Sequence, residues 1–362
     1  MDNTAFPVYV RCSTYNHAKF IVDAMNGFTM QQTSLPYVCA IIDDASTDSE
    51  QEVIRNYFQE HFDLTDKETV RHEETDDYLM SFARHKTNNN CFFAVFYLKY
   101  NHYSINKDNY SYASEWADKA KYYAICEGDD YWIDPGKLQK QIDFLECHED
   151  YTMTCNRTQL YSVKKQKIIG ENYCYNCSRD IDPVDVINRT GLFISTCSIV
   201  YRREVLNNQP EYWEKCEVGD YPLQIACAMK GKTMFFNEIM SVYRVENPTS
   251  WMGQQQWRSA SLKRLRVIKS QVEMFWGFAH DYPEYNSILL NKSFDQINRF
   301  FPRWNASKED KESYINYFKS YIDDYSWIWK IELFLLRLKV PIIRSAFRIL
   351  FLRNYNEKKK LY

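Results

Sequence analysis

A chain of 362 residues with 45% hydrophobic content carries enough apolar side chain for one large core or two ordinary ones. Its 45 Lys and Arg stand against 48 Asp and Glu, a net charge of -3, so no global field marks a nucleic-acid binder. Eleven cysteines, an odd number scattered over so long a chain, read as reduced thiols and not as a disulfide framework.

Met1 to Val10 lacks the basic stretch, apolar run and small-residue cleavage site of a signal peptide, which sets the expectation of a cytoplasmic protein. Val8 to Cys12 is the first predicted strand. Lys19 to Gln31 repeats apolar residues at helical spacing through Phe20, Ala24 and Phe28, and Val38 to Ile42 is a second, buried strand. Together they form a βαβ unit. Ser49 to Phe62 reads as helix, Phe92 to Leu98 as strand, and Tyr122 to Cys126 as a strand that runs into Glu127-Gly128-Asp129-Asp130. Pro135 then opens a helix over Lys137 to His148, with Leu138, Ile142 and Leu145 on one stripe. Polar stretches over Lys67 to Asn90 and Tyr103 to Tyr110 read as surface insertions. The pair Cys174 and Cys177 has the spacing of half a zinc site, but no second pair follows, so chance spacing in a loop is the better reading.

Beyond Pro248 only helical patterns remain, roughly Gln255 to Phe278, Glu284 to Phe301, Lys308 to Ile322 and Trp327 to Leu352. The expected organisation is a catalytic domain over 1–250 and a helical region over 251–362. The last pattern interleaves Lys330, Arg337, Lys339, Arg344, Arg348 and Arg353 with apolar residues, so it holds no uncharged run of about 18 residues to span a bilayer. Two readings stay open. One is an in-plane amphipathic anchor, helped by Lys358 to Lys360 on anionic lipid; the other is a bundle helix packed on the rest of the protein.

Three polar clusters fall directly after predicted strands: Ser13-Thr14-Tyr15-Asn16-His17, Asp43-Asp44-Ala45-Ser46-Thr47-Asp48, and Glu127-Gly128-Asp129-Asp130-Tyr131-Trp132. Strand carboxyl ends are where ligands meet an open α/β sheet, because strand ends and helix N-termini converge there. Each cluster alone has a plain alternative as a helix cap, a turn or a solvated acid. In this order and at these strand ends, one shared site explains all three.

The phrases "STYNHAKFIVDAMNGFTMQQT", "AIIDDASTD" and "AICEGDDYWIDPGKLQKQIDFLE" closely resemble the bacterial family 2 glycosyltransferases, over roughly residues 6 to 250. The resemblance implies a GT-A fold: an α/β nucleotide-sugar-binding sandwich with a mostly parallel central sheet, here followed by a helical C-terminal region. It implies an inverting transfer of a sugar from a nucleoside-diphosphate donor, most often a UDP-sugar, to a cell-surface glycan or lipid-linked saccharide. By position it places Ser13, Tyr15 and Asn16 at the donor nucleotide, Asp44 on the uracil, Asp129 toward the ribose and Asp130 on a Mn²⁺ or Mg²⁺ ion at the diphosphate. A hard cation of this kind takes oxygen ligands and is commonly held by one or two carboxylates plus phosphate oxygens and water. Asp220, which opens a helix through Lys230 after the stretch Ile194 to Leu206, matches the family's catalytic base, although an aspartate there also suits a helix N-cap.

Relatives often carry a His shortly after the strand matching Ser241 to Arg244, whereas this chain reads Tyr243-Arg244-Val245-Glu246-Asn247. Glu246 is the candidate for that role, and Arg244 is a candidate for either a diphosphate contact or a structural ion pair. The setting implied is the inner face of the plasma membrane, with the C-terminal helices at the lipid surface and no nucleic-acid partner. Two rival readings make different demands on the sequence. A sugar nucleotidyltransferase calls for a Gly-rich, basic phosphate loop after the first strand, which this sequence lacks. A non-catalytic membrane-recruited subunit calls for loss of the base or metal carboxylate, and Asp129, Asp130 and Asp220 are all present.

Overall fold

A computed structural model of the chain describes residues 6–189, 193–248, 262–300, 316–319 and 331. Its contacts divide the chain into two compact units, Met1–Glu214 with Val218–Gln255, and Lys215–Glu217 with Gln256–Tyr362. The cationic stretch Trp327 to Leu352 falls outside the described residues except at position 331. No helix among the described residues is long and apolar enough to cross a membrane.

The first unit is built on one sheet. Its strands are β1 (Val8–Thr14), β2 (Tyr37–Asp43), β3 (Arg71–Glu74), β4 (Tyr78–Arg84), β5 (Cys91–Leu98), β6 (Tyr122–Ile125), β7 (Tyr131–Trp132), β8 (Tyr151–Ser162), β9 (Lys167–Asn172), β10 (Arg179–Asp180), β11 (Val200–Arg202) and β12 (Lys232–Val245). They lie in the order β10-β12-β8-β11-β6-β1-β2-β5-β4-β3, with β7 on β12 and β9 on β8. The centre, β6-β1-β2-β5, is parallel. Every residue of β2 and β5 is buried, as continuous apolar runs require when layers cover both faces of a sheet.

Four features depart from the sequence reading. The sheet is mixed: parallel at its centre and between β8 and β12, antiparallel at its other pairings. The polar stretch Lys67 to Asn90, expected as an insertion, supplies the antiparallel edge strands β3 and β4. All four residues of β3 are exposed and three are ionisable to full charge, Arg71, Glu73 and Glu74, a composition that discourages further strand pairing at a sheet edge. Strand β8 was not foreseen, and of β12 only the end was. Its register slips between Phe236 and Ile239 and again before Ser241, which breaks the alternation that would have marked a 14-residue strand.

The helices of this unit are α1 (Ile21–Thr29), α2 (Glu50–His61), α3 (Ser114–Ala117), α4 (Lys137–Cys147), α5 (Pro183–Arg189), α6 (Glu211–Glu214) and α7 (Asp220–Lys230). α1 lies close to β7: a Cβ at Gly27 would stand 2.8 Å from the backbone nitrogen of Trp132. The Trp132 ring meets Phe28 edge-on at 5.0 Å, and its indole N–H donates to the Cys197 carbonyl at 2.8 Å. Because β1 is followed by β2 on one side while β6 returns on the other, the chain reverses direction across the sheet at the carboxyl end of β1, the place where open α/β sheets bind ligands. In the second unit, α8 (Leu262–Asp281) and α9 (Asn286–Phe300) pack together and bury Val272, Phe275, Phe278, Leu289 and Phe294. All eleven cysteines are free thiols; Cys174 is buried and Cys177 exposed.

Candidate active site

Three loops meet at the end of β1. The backbone N–H of Asp44 donates to the Thr14 carbonyl at 3.0 Å, and that of Gly128 to the Ser13 carbonyl at 3.0 Å. Gly128 is required by this approach, since a Cβ there would lie 2.1 Å from Thr14 Oγ1. The loop after β1 is laced to the loop after β2. Asn16, held at φ 59°, a left-handed conformation that asparagine tolerates, accepts from the Thr47 N–H at 2.8 Å, and its own N–H donates to Ser46 Oγ at 2.8 Å. Asn16, expected at the nucleotide, therefore joins two loops. Ser13 and Tyr15 stand half-buried at the rim; the Ser13 N–H points to Glu127 Oε2 at 3.4 Å and its hydroxyl to the Tyr110 hydroxyl at 3.5 Å. The Arg11 guanidinium lies 4.8 Å from the Tyr110 ring centroid.

Asp44, expected to accept from a base, is committed elsewhere. Its two oxygens accept from the N–H groups of His102, at 2.7 Å, and Tyr103, at 3.0 Å. It pins the segment after β5, in which Tyr103, Ile105 and Tyr110 are exposed. Its neighbour Asp43 is fully buried and accepts from the Ser46 N–H at 3.0 Å and the Gln51 side-chain amide at 2.7 Å.

The acidic loop after β6 has a similar division. Asp130, expected to hold a metal, is 1% exposed, and its Oδ1 accepts from the Arg244 backbone N–H at 2.8 Å. It faces inward because β7, directly after it, pairs with β12 and carries it beneath that strand. Burial first, then repulsion from Asp129, pushes its carboxyl well above the ordinary range. Arg244, a candidate for diphosphate, is spent on the same lock: it is 7% exposed, donates to the Asp129 carbonyl at 2.7 Å, pairs with Asp23, and lies between the rings of Tyr131 and Phe20 at 4.4 and 4.8 Å. Of its two sequence readings, the structural ion pair is the one the geometry supports. Glu246 is exposed at φ 57° and bonds Ser162, away from the acidic loop. The next residue, Asn247, reaches the loop instead: it is 2% exposed and its side-chain amide donates to Asp129 Oδ2 at 2.9 Å.

Three acidic groups beside the end of β1 act on one another's charge. Asp129 has 12% of its side chain exposed and faces His17 Nε2 at 3.7 Å. Glu127 is half-buried; burial raises its carboxyl, Arg11 opposes the rise, and the charges of Asp129 and Asp220 add to it, so the three acids share one local field. Asp220 is the first residue of α7, with Gly219 as the cap residue, and its Oδ2 lies 3.4 Å from the Thr196 hydroxyl. Burial raises its carboxyl against hydrogen bonds from the Tyr221 and Asp220 N–H groups and Thr196. The sequence reading did not single out Glu127, Asn247 or His17. Glu127 was legible as the opening acid of its loop and His17 as the residue after Tyr15-Asn16; Asn247 had no local signal. Among the described residues no three His, Cys, Asp or Glu side chains converge closely enough to hold a metal ion by themselves.

No protein-family model matches the chain. Over 234 residues it is 30% identical to an uncharacterized protein of Mycobacterium tuberculosis strain H37Rv, and equally to a counterpart in Mycobacterium bovis, covering 64% of this chain and 56% of the relative. The chain thus spans little more than half the length of the curated relatives it matches. Among solved structures it is similar to residues 1–349 of S. aureus TarS in complex with UDP-GlcNAc, with a TM-score of 0.59, 12% identity, and coverage of 96% of this chain and 92% of that one. The complex of the same fragment with UDP gives a TM-score of 0.56 at 13% identity. At such identities the likeness establishes the fold.

Proposed function

We propose that the chain is an inverting glycosyltransferase that moves a sugar from a nucleoside-diphosphate donor, a UDP-sugar, onto a cell-surface glycan or lipid-linked saccharide. The observation that carries this reading is that Glu127, Asp129 and Asp220, from an acidic loop and a helix start about ninety positions apart in the chain, act on one another's charge beside the end of β1. It is supported by the fold shared with TarS, whose solved complex holds UDP-GlcNAc.

In this reading Tyr15, Ser13 and the exposed Tyr110 border the nucleotide, and Asp220 takes the proton from the acceptor hydroxyl as its oxygen attacks the anomeric carbon. The rigid loop lets Glu127 and Asp129 keep position while charge moves to the departing diphosphate. Two carboxylates flanking a glycine fit a hard divalent cation whose other ligands are phosphate oxygens and water, so the metal role passes from Asp130 to Asp129, with Glu127 beside it. Bound there, Mn²⁺ or Mg²⁺ neutralises the leaving diphosphate. An inner-face location, with Lys330 to Arg353 at the lipid surface, belongs to the same proposal and rests on charge alternation alone.

Asp220→Asn is expected to keep UDP binding, read by calorimetry, and to lose transfer; an undiminished rate rejects Asp220 as the base. Since the active form is deprotonated and burial holds the carboxyl above its ordinary value, the acid limb of kcat/KM is expected above the ordinary carboxylate range. Product anomeric configuration, read by NMR, tests inversion.

A further inference from the structure

His17 lies beside the acidic loop in an arrangement that the proposed transfer does not use. The residue is 8% exposed, its Nε2 makes no hydrogen bond, and that nitrogen stands 3.7 Å from Asp129 Oδ2. The distance is too long for an N–H···O hydrogen bond, which spans about 2.7–3.2 Å. A buried nitrogen left in this state needs an explanation.

The other side of the ring identifies its tautomer. Ser46 Oγ accepts from the Asn16 N–H and so turns its own hydrogen to Glu50 Oε2, at 2.8 Å. The same oxygen accepts from the His17 N–H at 2.8 Å, and Thr14 Oγ1 donates to Glu50 Oε1. With its one hydrogen committed to Glu50, the Thr14 hydroxyl acts as acceptor toward His17 Nδ1 at 3.2 Å. With Glu50 as the carboxylate, its form above about pH 7, this network puts the proton on Nδ1 and turns the lone pair on Nε2 toward a carboxylate oxygen. Two electron-rich atoms directed at each other in a buried site repel unless a cation lies between them.

We infer that His17 Nε2 and Asp129 Oδ2 are paired ligands of one divalent transition-metal ion, with Glu50 and Thr14 orienting the imidazole from behind. The inference deepens the proposed function, on whose metal-assisted transfer it rests. Two ligands each about 2.1 Å from an ion stand about 3 Å apart at a right angle and at most about 4.2 Å apart when opposed; a gap of 3.7 Å falls between. Histidine ligands usually donate the second ring N–H to a carboxylate, a carbonyl or water; here the Thr14 hydroxyl relays that contact to Glu50. Asn247 donates to the same Asp129 oxygen and fixes its direction. The nitrogen has a chemical consequence: Mg²⁺ holds its oxygen shell and waters tightly, so an imidazole ligand favours a first-row transition ion such as Mn²⁺ over it.

The test is binding of Mn²⁺ to the full chain, with and without UDP, followed by the free-ion paramagnetic signal, together with pulsed resonance of the bound ion to detect a coordinated nitrogen. The wild type should show imidazole nitrogen modulation. His17→Ala should abolish it and weaken Mn²⁺ by about tenfold or more, while Thr14→Val weakens it by about tenfold. Mg²⁺ affinity should fall much less in His17→Ala, which a merely misfolded variant would not reproduce. Bound Mn²⁺ without nitrogen modulation in the wild type, or equal Mn²⁺ affinity in His17→Ala, overturns the inference and leaves the transferase reading standing. If Mn²⁺ does not bind even with UDP, the inference also fails, and UDP release from UDP-sugar in the presence of chelator then decides the transferase reading by itself.

Discussion

Two adjacent aspartate pairs lie beyond two parallel strands of the same sheet, Asp43-Asp44 at the end of β2 and Asp129-Asp130 in the loop after β6, and each is followed by a helix whose first residue is charged and fully buried: Glu50 for the first, Lys137 for the second. In the first pair both carboxylates are claimed by N–H groups, from residues 46 and 51 for Asp43 and from 102 and 103 for Asp44. In the second, Asp130 is claimed by the Arg244 N–H, while the Asp129 carboxylate takes a side-chain amide and stands 3.7 Å from His17 Nε2. An acid at a strand end is thus available to a ligand only where no backbone donor from another segment has reached it. The first pair is held by the loops around it; the second leaves one acid beside a buried imidazole.

The comparison can be broken most directly by exchanging amides for acids. Asp129→Asn is expected to lower kcat/KM for UDP-sugar by on the order of a hundredfold or more with melting temperature retained. Asp44→Asn is expected to lower it by less than about tenfold and instead to speed limited proteolysis within residues 99–113. Equal losses of activity with no change in cleavage would erase the distinction drawn between the pairs. A second, intermediate effect concerns the inward acid: Asp130→Ala leaves the buried Arg244 N–H without its acceptor, and destabilisation of about 1–3 kcal/mol is expected in urea unfolding. An unchanged midpoint would mean that Asp130 does not hold the loop.

The smallest effect sharpens the contrast between the two helix starts. Burial raises Glu50 from an ordinary 4.5 to about 7 and lowers Lys137 from 10.5 to about 8. For Glu50 the folded state binds its proton more tightly, so its contribution to stability is full below pH 4.5 and lost as pH rises toward about 7. For Lys137 the sign reverses: the contribution is full above pH 10.5 and lost as pH falls toward about 8. Glu50→Gln should flatten the falling slope in the acid window and Lys137→Met the rising slope in the alkaline one, each read as the pH dependence of the urea midpoint against wild type. Parallel slopes in variant and wild type would show that the buried charge titrates as it does in the unfolded chain.

Much of the fold was legible because it is carried by local pattern. The apolar runs of β1, β2, β5 and β6, the acids that end β2 and follow β6, and the start of α7 at Asp220 all stand within a few residues of their own signals. β3, β4 and β8 were not legible, because strands of exposed or mixed polarity are stabilised by partners that the local sequence does not contain.

The sequence by itself determined that carboxylates would gather at the strand ends of an α/β sheet, since strand endings and charge are properties of short segments. Which member of each pair turns toward a ligand was decided only by tertiary structure. The N–H groups that claim Asp44 come from 58 and 59 residues away, the one that claims Asp130 from 114, and the amide that steers Asp129 from 118. A buried carboxylate takes the direction of its nearest donors, and those donors arrive with other strands.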